Sequence, residues 1–428
     1  MTTFNTFYMK NFIILFLGFL PIIVFARKIE VTNGHSIKEA LCLAQPYDTI
    51  LVKNGYYAEN QLVINIPLSI IGENFPIIDA QYQNEIFTVK SNNVTIQGFH
   101  LMNIGKTSMI DWAAVKVLEA QNVYVIGNHI ENGYFAIYFS ASHNCVADGN
   151  VIEGKPAEEQ NTGNGIHAWK CDSLLIKNNR IKGQRDGIYF EFVTNSLIDN
   201  NLSTNNIRYG LHFMFSHNDT YTDNTIRDNG AGVAVMYTRH VTMLRNHFDH
   251  NWGSAAYGLL LKDISDSHIE NNTFNNNTVG IFMEGTSRTT VLHNQFHENG
   301  WAVRVQASCD DNPFTENNFT ANTFDIATNG MTTLNRFDKN YWDKYEGYDL
   351  NHDGIGDIPY HPVSLFASII EQMPHGLMLL HSFMVNLMER AEKIFPSLTP
   401  EDLVDAQPMM KPIVQKETPQ YLATKKGF

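Results

Sequence analysis

Between about residue 92 and residue 320 the chain alternates apolar and variable positions in short runs, and one signature recurs after them. An Asn is followed by one variable residue and then by a large apolar one. The signature reads Gly127-Asn128-His129-Ile130, Gly149-Asn150-Val151-Ile152, Asn179-Arg180-Ile181, Asn200-Asn201-Leu202, Asn224-Thr225-Ile226, Asn246-His247-Phe248, Asn272-Thr273-Phe274, Asn294-Gln295-Phe296 and Asn317-Asn318-Phe319. The leading Asn returns every 21 to 29 positions, most often after 22. A period of that size marks a solenoid. Each repeat also holds a Gly-led run of period two, such as Gly165-Ile166-His167-Ala168-Trp169, Gly187-Ile188-Tyr189-Phe190-Glu191 and Gly210-Leu211-His212-Phe213-Met214. Period two predicts strands, and the absence of a 3.6-residue period between them excludes helical repeats.

The expected fold is therefore all-β: a right-handed parallel β-helix with a short N-terminal cap helix and a C-terminal helical extension. The handedness is taken from known folds of this kind. Turns rich in Asn, Gly, Asp and Ser tolerate left-handed backbone, and their Asn side chains can stack into hydrogen-bonded ladders from coil to coil. Ser36 to Ala44 reads as the cap helix, with Ser36 as N-cap and Glu39 completing a capping box. The boundaries expected are a signal peptide over 1–26, the β-helix over 27–340 and an Asp/Gly-rich candidate calcium loop over 341–362. A helical partner-docking segment over 363–412 and a disordered tail over 413–428 complete the chain.

Strand phase assigns an outward face to the Gly-led runs. If Ile166 and Ala168 point inward, His167 and Trp169 point outward, and successive coils build two columns. One runs His167, Tyr189, His212, Ala234; its neighbour runs Trp169, Glu191, Met214, Met236. His167, Trp169, Tyr189 and Glu191 form a candidate surface groove. Two thioethers beside an imidazole are a soft ligand set suited to Cu(I), so His212, Met214 and Met236 are expected to hold copper transiently at an open surface.

Composition narrows the setting. A net charge of −14 excludes nucleic acid as the main partner. Lys10, the apolar run from Phe12 to Phe25 and the Val24-Phe25-Ala26 sequence fit an export signal with cleavage after Ala26. Four Cys over so long an exported chain do not make a disulfide framework, and Cys145 occupies an inward position.

Two further segments carry chemistry. Asp349, Asn351, Asp353, the Ile355 carbonyl and Asp357 stand at positions 1, 3, 5, 7 and 9 of an EF-hand-type calcium loop with Gly354 at position 6, although Tyr360 replaces the usual Glu at position 12. From Leu365 to Ile394 apolar residues recur at helical spacing and are broken by Pro374. That pattern gives two amphipathic helices, with Leu379, Leu380 and Phe383 expected to grip a partner.

The run from Tyr345 through Asp349 and Asp357 to Val363, with Ser382 to Asp405, resembles the NosD family, whose members mature the copper sites of nitrous oxide reductase. The β-helix part of the likeness is generic and the C-terminal part specific. The resemblance implies a periplasmic, non-catalytic protein, peripherally associated with the inner membrane. It implies as partners an ABC transporter permease and ATPase, a copper chaperone lipoprotein and the reductase itself. The competing reading is an exported polysaccharide lyase, epimerase or hydrolase of the β-helix class. The Asp-Pro-His motif of alginate epimerases is missing from the chain, and Glu191 and Glu284 stand several coils apart.

Overall fold

The computed structural model describes residues 27–107, 109–155, 162–330, 334–394 and 403–414. The expected signal peptide and residues 415–428 of the expected tail lie outside them. Each coil adds one strand to each of three parallel sheets in turn. Thr49–Val52 lies on a first face, Tyr56–Tyr57 on a second and Leu62–Ile64 on a third, and Ser69–Gly72 then returns to the first. Among the described residues the three faces hold 14, 13 and 12 strands. The expected parallel β-helix is found, running from Lys28 to Trp342.

Inward positions on all three faces merge into one continuous core. On the second face its filling changes along the axis. Ile130, Ile152 and Ile181 occupy the inward column in the earlier coils. Phe248, Phe274, Phe296, Phe319 and Trp342 take it over, with rings 4.6, 4.9, 4.8 and 4.2 Å apart and within 8° of parallel. Parallel in-register strands impose this stacking, because equal positions in successive coils sit one strand spacing apart.

From Gly127 onward the corner between the first and second faces is built the same way in every coil. One residue adopts left-handed backbone: Gly127 (φ +58°), Gly149, Asn178, Asn200, Asp223, Arg245, Asn271, His293, Glu316 and Lys339. A buried Asn follows. From Asn150 onward, Oδ1 accepts both the backbone N–H and the side-chain amide of the Asn one coil earlier, and each Nδ2 also reaches a core-strand carbonyl. Asn128 donates to Asn150 at 3.0 and 3.1 Å and to the Ile96 carbonyl at 3.2 Å. The ladder continues through Asn179, Asn201, Asn224, Asn246, Asn272, Asn294 and Asn317 to Asn340. One repeat differs from the sequence reading. Asn201, not Asn200, enters the ladder, and Ser203 takes the inward position between Ile181 and Ile226. Ser203 satisfies its hydroxyl there by donating to the Gly210 carbonyl at 2.8 Å. A second ladder, Asn206 to Asn322, lines the corner between the second and third faces.

Both ends are covered. The cap helix spans Ile37–Leu43, and Ser36 Oγ accepts the Glu39 N–H at 3.2 Å. The reciprocal carboxylate is Glu59 rather than Glu39: it takes the Ile37 and Lys38 N–H groups at 2.8 and 3.0 Å, so the cap is made by the coil beneath. At the other end helix Leu365–Gln372 buries Phe366, Ala367 and Ile370 against Phe324, joined by Val385 of helix Phe383–Ile394. Arg304 on the third face donates to Glu371 at 2.7 Å. Residues 403–414 return along the last coil. Among the described residues no helix is long and apolar enough to cross a membrane.

Candidate functional site

Strand register on the third face reproduces both outward columns expected from the sequence. His167 pairs with Tyr189, Tyr189 with His212 and His212 with Ala234; Trp169 pairs with Glu191, Glu191 with Met214 and Met214 with Met236. The first column is an aromatic wall. His167 packs 4.8 Å from both Tyr138 and Tyr189, and Tyr189 packs 4.9 Å from His212. This packing withdraws water from His167 and pushes its imidazole down to about 3, and the Asn164 side-chain amide, donating to Nδ1 at 3.0 Å, suits the neutral ring. Burial raises the Tyr189 phenol to about 12, with the Glu191 carboxylate adding to the effect.

Met214 and Met236 are half-buried neighbours on this face. His212 is not at the open surface that was expected; it is 5% exposed. Asp186 and Arg208, which the sequence reading passed over, lie under the wall. Arg208 Nε donates to Asp186 at 2.9 Å, and His212 Nδ1 lies 3.4 Å from the same carboxylate. Burial pushes the Asp186 carboxyl up, but its hydrogen bonds from Arg208 and His212 outweigh that and hold it down at about 2. The carboxylate thus orients the His212 ring through Nδ1, while buried Nε2 has no hydrogen-bond partner within the protein. A carboxylate on one imidazole nitrogen and a free second nitrogen is the arrangement that orients metal-ligating histidines. The His212 ring is thus held as a metal-ligating imidazole is held, on the strand of Met214 and next to that of Met236. Stacked Phe192, Phe215 and Tyr237 border the two Met, with rings 5.1 and 5.0 Å apart.

Carboxylates on and beside this face have partners of their own. Glu284 pairs with Lys262 at 3.1 Å and Glu371 with Arg304. Glu191 lies 3.3 Å from the Tyr189 hydroxyl, whose proton it accepts.

The Asp349–Asp357 loop is folded on its own side chains. Asp349 accepts the Asp353 and Gly354 N–H groups at 3.2 and 2.9 Å, Asp353 accepts that of Ile355 at 2.8 Å, and Asp357 accepts that of Leu350 at 2.7 Å. Gly354 (φ +86°) makes the turn. Gly354 and Gly356 bond to Met410 and Pro408, which ties the loop to the returning C-terminal segment.

The three residues expected to grip a partner separate. Leu379 and Phe383 are 54% and 82% exposed, whereas Leu380 packs against the small core of Phe324 and Phe366. Met378, Met384 and Leu387 extend the exposed apolar row, with exposures of 89%, 59% and 50%.

Sequence reasoning also missed a cluster on the second face. His100, His129 and Glu131 project from neighbouring strands, and among the described residues they are the one group of His, Cys and acidic side chains that converges closely enough to hold an ion. His129 is the variable residue of the first complete signature. His100 escaped because Phe99 stands where later repeats have Asn; its N–H begins the ladder by donating to Asn128 at 3.1 Å.

Comparison with known proteins gives this geometry a setting. Residues 149–348 match the family model described as NosD, periplasmic copper-binding protein. A probable ABC transporter binding protein NosD of Pseudomonas aeruginosa is 28% identical over 83% of this chain and 87% of its own length. A protein of the same description from Stutzerimonas stutzeri is 25% identical over 82% of this chain and 85% of its own. Among solved structures, a family 28 exopolygalacturonase of Yersinia enterocolitica superposes with a TM-score of 0.56 at 11% identity, covering 73% of this chain and 79% of that one. At that identity the likeness concerns the fold alone.

Proposed function

The chain is related to the NosD proteins over most of its length, and from that premise we propose that it is the periplasmic subunit of an ABC transporter complex. In this reading it serves assembly of the copper–sulfur site of nitrous oxide reductase as a docking and copper-transfer scaffold, without catalysing a reaction. The observation that carries the reading is the exposed row Met378, Leu379, Phe383, Met384 and Leu387 at the C-terminal end of the solenoid. Large apolar side chains left exposed together on neighbouring turns mark a partner surface, and a transporter permease supplies an apolar one. The ATPase would act from the far side of the membrane, and a copper chaperone lipoprotein and the reductase would meet the β-helix.

Copper as cargo would pass over the third face. Met214 and Met236 offer thioethers one coil apart, and His212 offers Nε2 with its ring set by Asp186. Soft donors of this type hold Cu(I) in preference to hard cations. The calcium loop would brace the C-terminal segment next to the docking helices.

The test is genetic and biochemical. A strain lacking this protein should make reductase polypeptide that lacks its copper–sulfur centre, and tagged protein should copurify with the permease and ATPase from solubilised membranes. Fully loaded reductase in the deletion strain would overturn the proposal.

A further inference from the structure

We propose that His100, His129 and Glu131 bind a divalent first-row transition-metal cation, copper(II) above all, at a site separate from the Met214–Met236 pair. Strands His100–Met102 and His129–Glu131 are neighbours on the second face, in a register that sets His100 on His129 and Met102 beside Glu131. The four outward side chains form a square cell. The imidazole rings stack at 4.5 Å, 12° from parallel. Glu131 Oε1 lies 3.3 Å from His100 Nε2 and 3.1 Å from His129 Nε2. Three donors sharing one ion at about 2.0–2.2 Å stand roughly 3.0–3.5 Å apart, which is the separation found for both nitrogen–oxygen pairs.

The hydrogen bonding separates this cluster from ordinary His–carboxylate pairs. His268 and His293 each aim a ring nitrogen at a Glu oxygen at 2.7 Å and are satisfied. His100 Nε2 and His129 Nε2 are buried and have no directed hydrogen-bond partner, although Glu131 is close to both. One carboxylate oxygen lies near two ring nitrogens and on the bond line of neither, and the three donor atoms all lie within 4.8 Å of one another. The side chains are 22%, 33% and 29% exposed, which leaves an entry path and room for each ring to turn its lone pair inward.

Two neutral imidazoles and one carboxylate are borderline donors. For such a set, divalent affinity peaks at copper and falls to zinc. The thioether of Met102 stands at the fourth corner of the cell in register.

The experiment is chelator-competition binding of Cu2+ and Zn2+ to the purified protein, with electron paramagnetic resonance of the copper-loaded form. The expected result is one tight Cu2+ per chain with hyperfine coupling to two nitrogens, and weaker Zn2+ at the same site. His100→Gln and His129→Gln should each lose at least about 100-fold in Cu2+ affinity, about 2.7 kcal/mol, with native circular dichroism and unchanged Cu(I) uptake. If either fails to fold, Glu131→Gln, which conserves volume, carries the same test. Unchanged affinity and an unchanged spectrum in the folded variants would overturn the site. Loss of Cu2+ binding without loss of membrane copurification would separate this site from the docking reading.

Discussion

Asn340 donates both its backbone N–H and its side-chain amide to one oxygen of Asp405, at 2.9 and 3.1 Å, and so ends the Asn ladder on a fully buried carboxylate. The same oxygen accepts the indole N–H of Trp342 at 3.0 Å, the last ring of the aromatic stack. Asp405 occupies the place that an Asn would fill in one more coil, and the chain reaches it from 65 residues downstream. The ladder and the stack therefore end on a single side chain.

Asp405→Ala should be costly for that reason. It leaves several buried donors unmatched, and an unmatched buried donor costs about 1–3 kcal/mol. The expected outcome is a loss of at least about 3 kcal/mol for the last coils, with residues 403–414 released. Hydrogen exchange at Asn340 and Trp342 should rise while exchange in the coils around Asn179 stays slow. Uniform exchange across the solenoid would contradict this.

The register of the third face was legible because two periods combine. The strand period of two sets which side chains face out, and the coil period sets which of them meet, so His167, Tyr189 and His212 could be aligned from sequence. Burial was not legible. His212 is covered because Asp186 and Arg208 approach from positions near the starts of their strands, outside the alternating pattern. Glu59 displaced Glu39 at the helix cap because the coil below presents its carboxylate to the first free N–H groups. Leu380 shares the helical spacing of Leu379, but it lies on the side that meets Phe324 and Phe366.

That separation refines the docking test. Replacing Leu379, Phe383 and Leu387 by Asp should abolish copurification with the permease and leave thermal unfolding within a few degrees of wild type. These side chains are exposed before binding, and burying three unpaired charges at an apolar contact is strongly unfavourable. Leu380→Asp should instead lower stability by about 2–4 kcal/mol, because the charge enters a packed contact. Retained copurification of the triple variant would reject the helices as the grip.

His167 gives the fold an acid-sensitive element. Its folded-state value near 3 is below the ordinary 6.5, so between those values the unfolded chain binds more protons. Its contribution to stability is complete above pH 6.5 and declines as pH falls toward 3. Between pH 7.5 and 5 the loss should be about 2 kcal/mol. His167→Phe keeps the stack with Tyr138 and Tyr189 and removes the titration. Urea unfolding of the variant should show a correspondingly smaller change over that interval, and parallel pH profiles would refute the assignment.

We propose that the Asp349 loop takes calcium at extracellular strength, on the order of 10⁻⁴ to 10⁻³ M. Asp349→Asn should weaken binding at least about tenfold, as one of few charged ligands is lost. Calorimetric titration checks this, and the absence of heat with wild-type protein at millimolar Ca2+ would exclude it. Calcium should also slow proteolysis next to Met409 and Met410, since the loop bonds to that segment.

A stack of coils is also a ruler. On the second face, nine strand steps separate His129–Glu131 from Tyr341–Trp342. At about 4.8 Å per step the two lie roughly 40 Å apart. Paired strands, two Asn ladders and stacked rings leave little give along that axis. If the C-terminal helices are anchored on a membrane complex, the His100–His129 cell stands nine to ten strand steps away along a stiff strut. It would meet soluble visitors well clear of the lipid surface, and a pull or tilt at the anchored end would arrive there as displacement and not as bending.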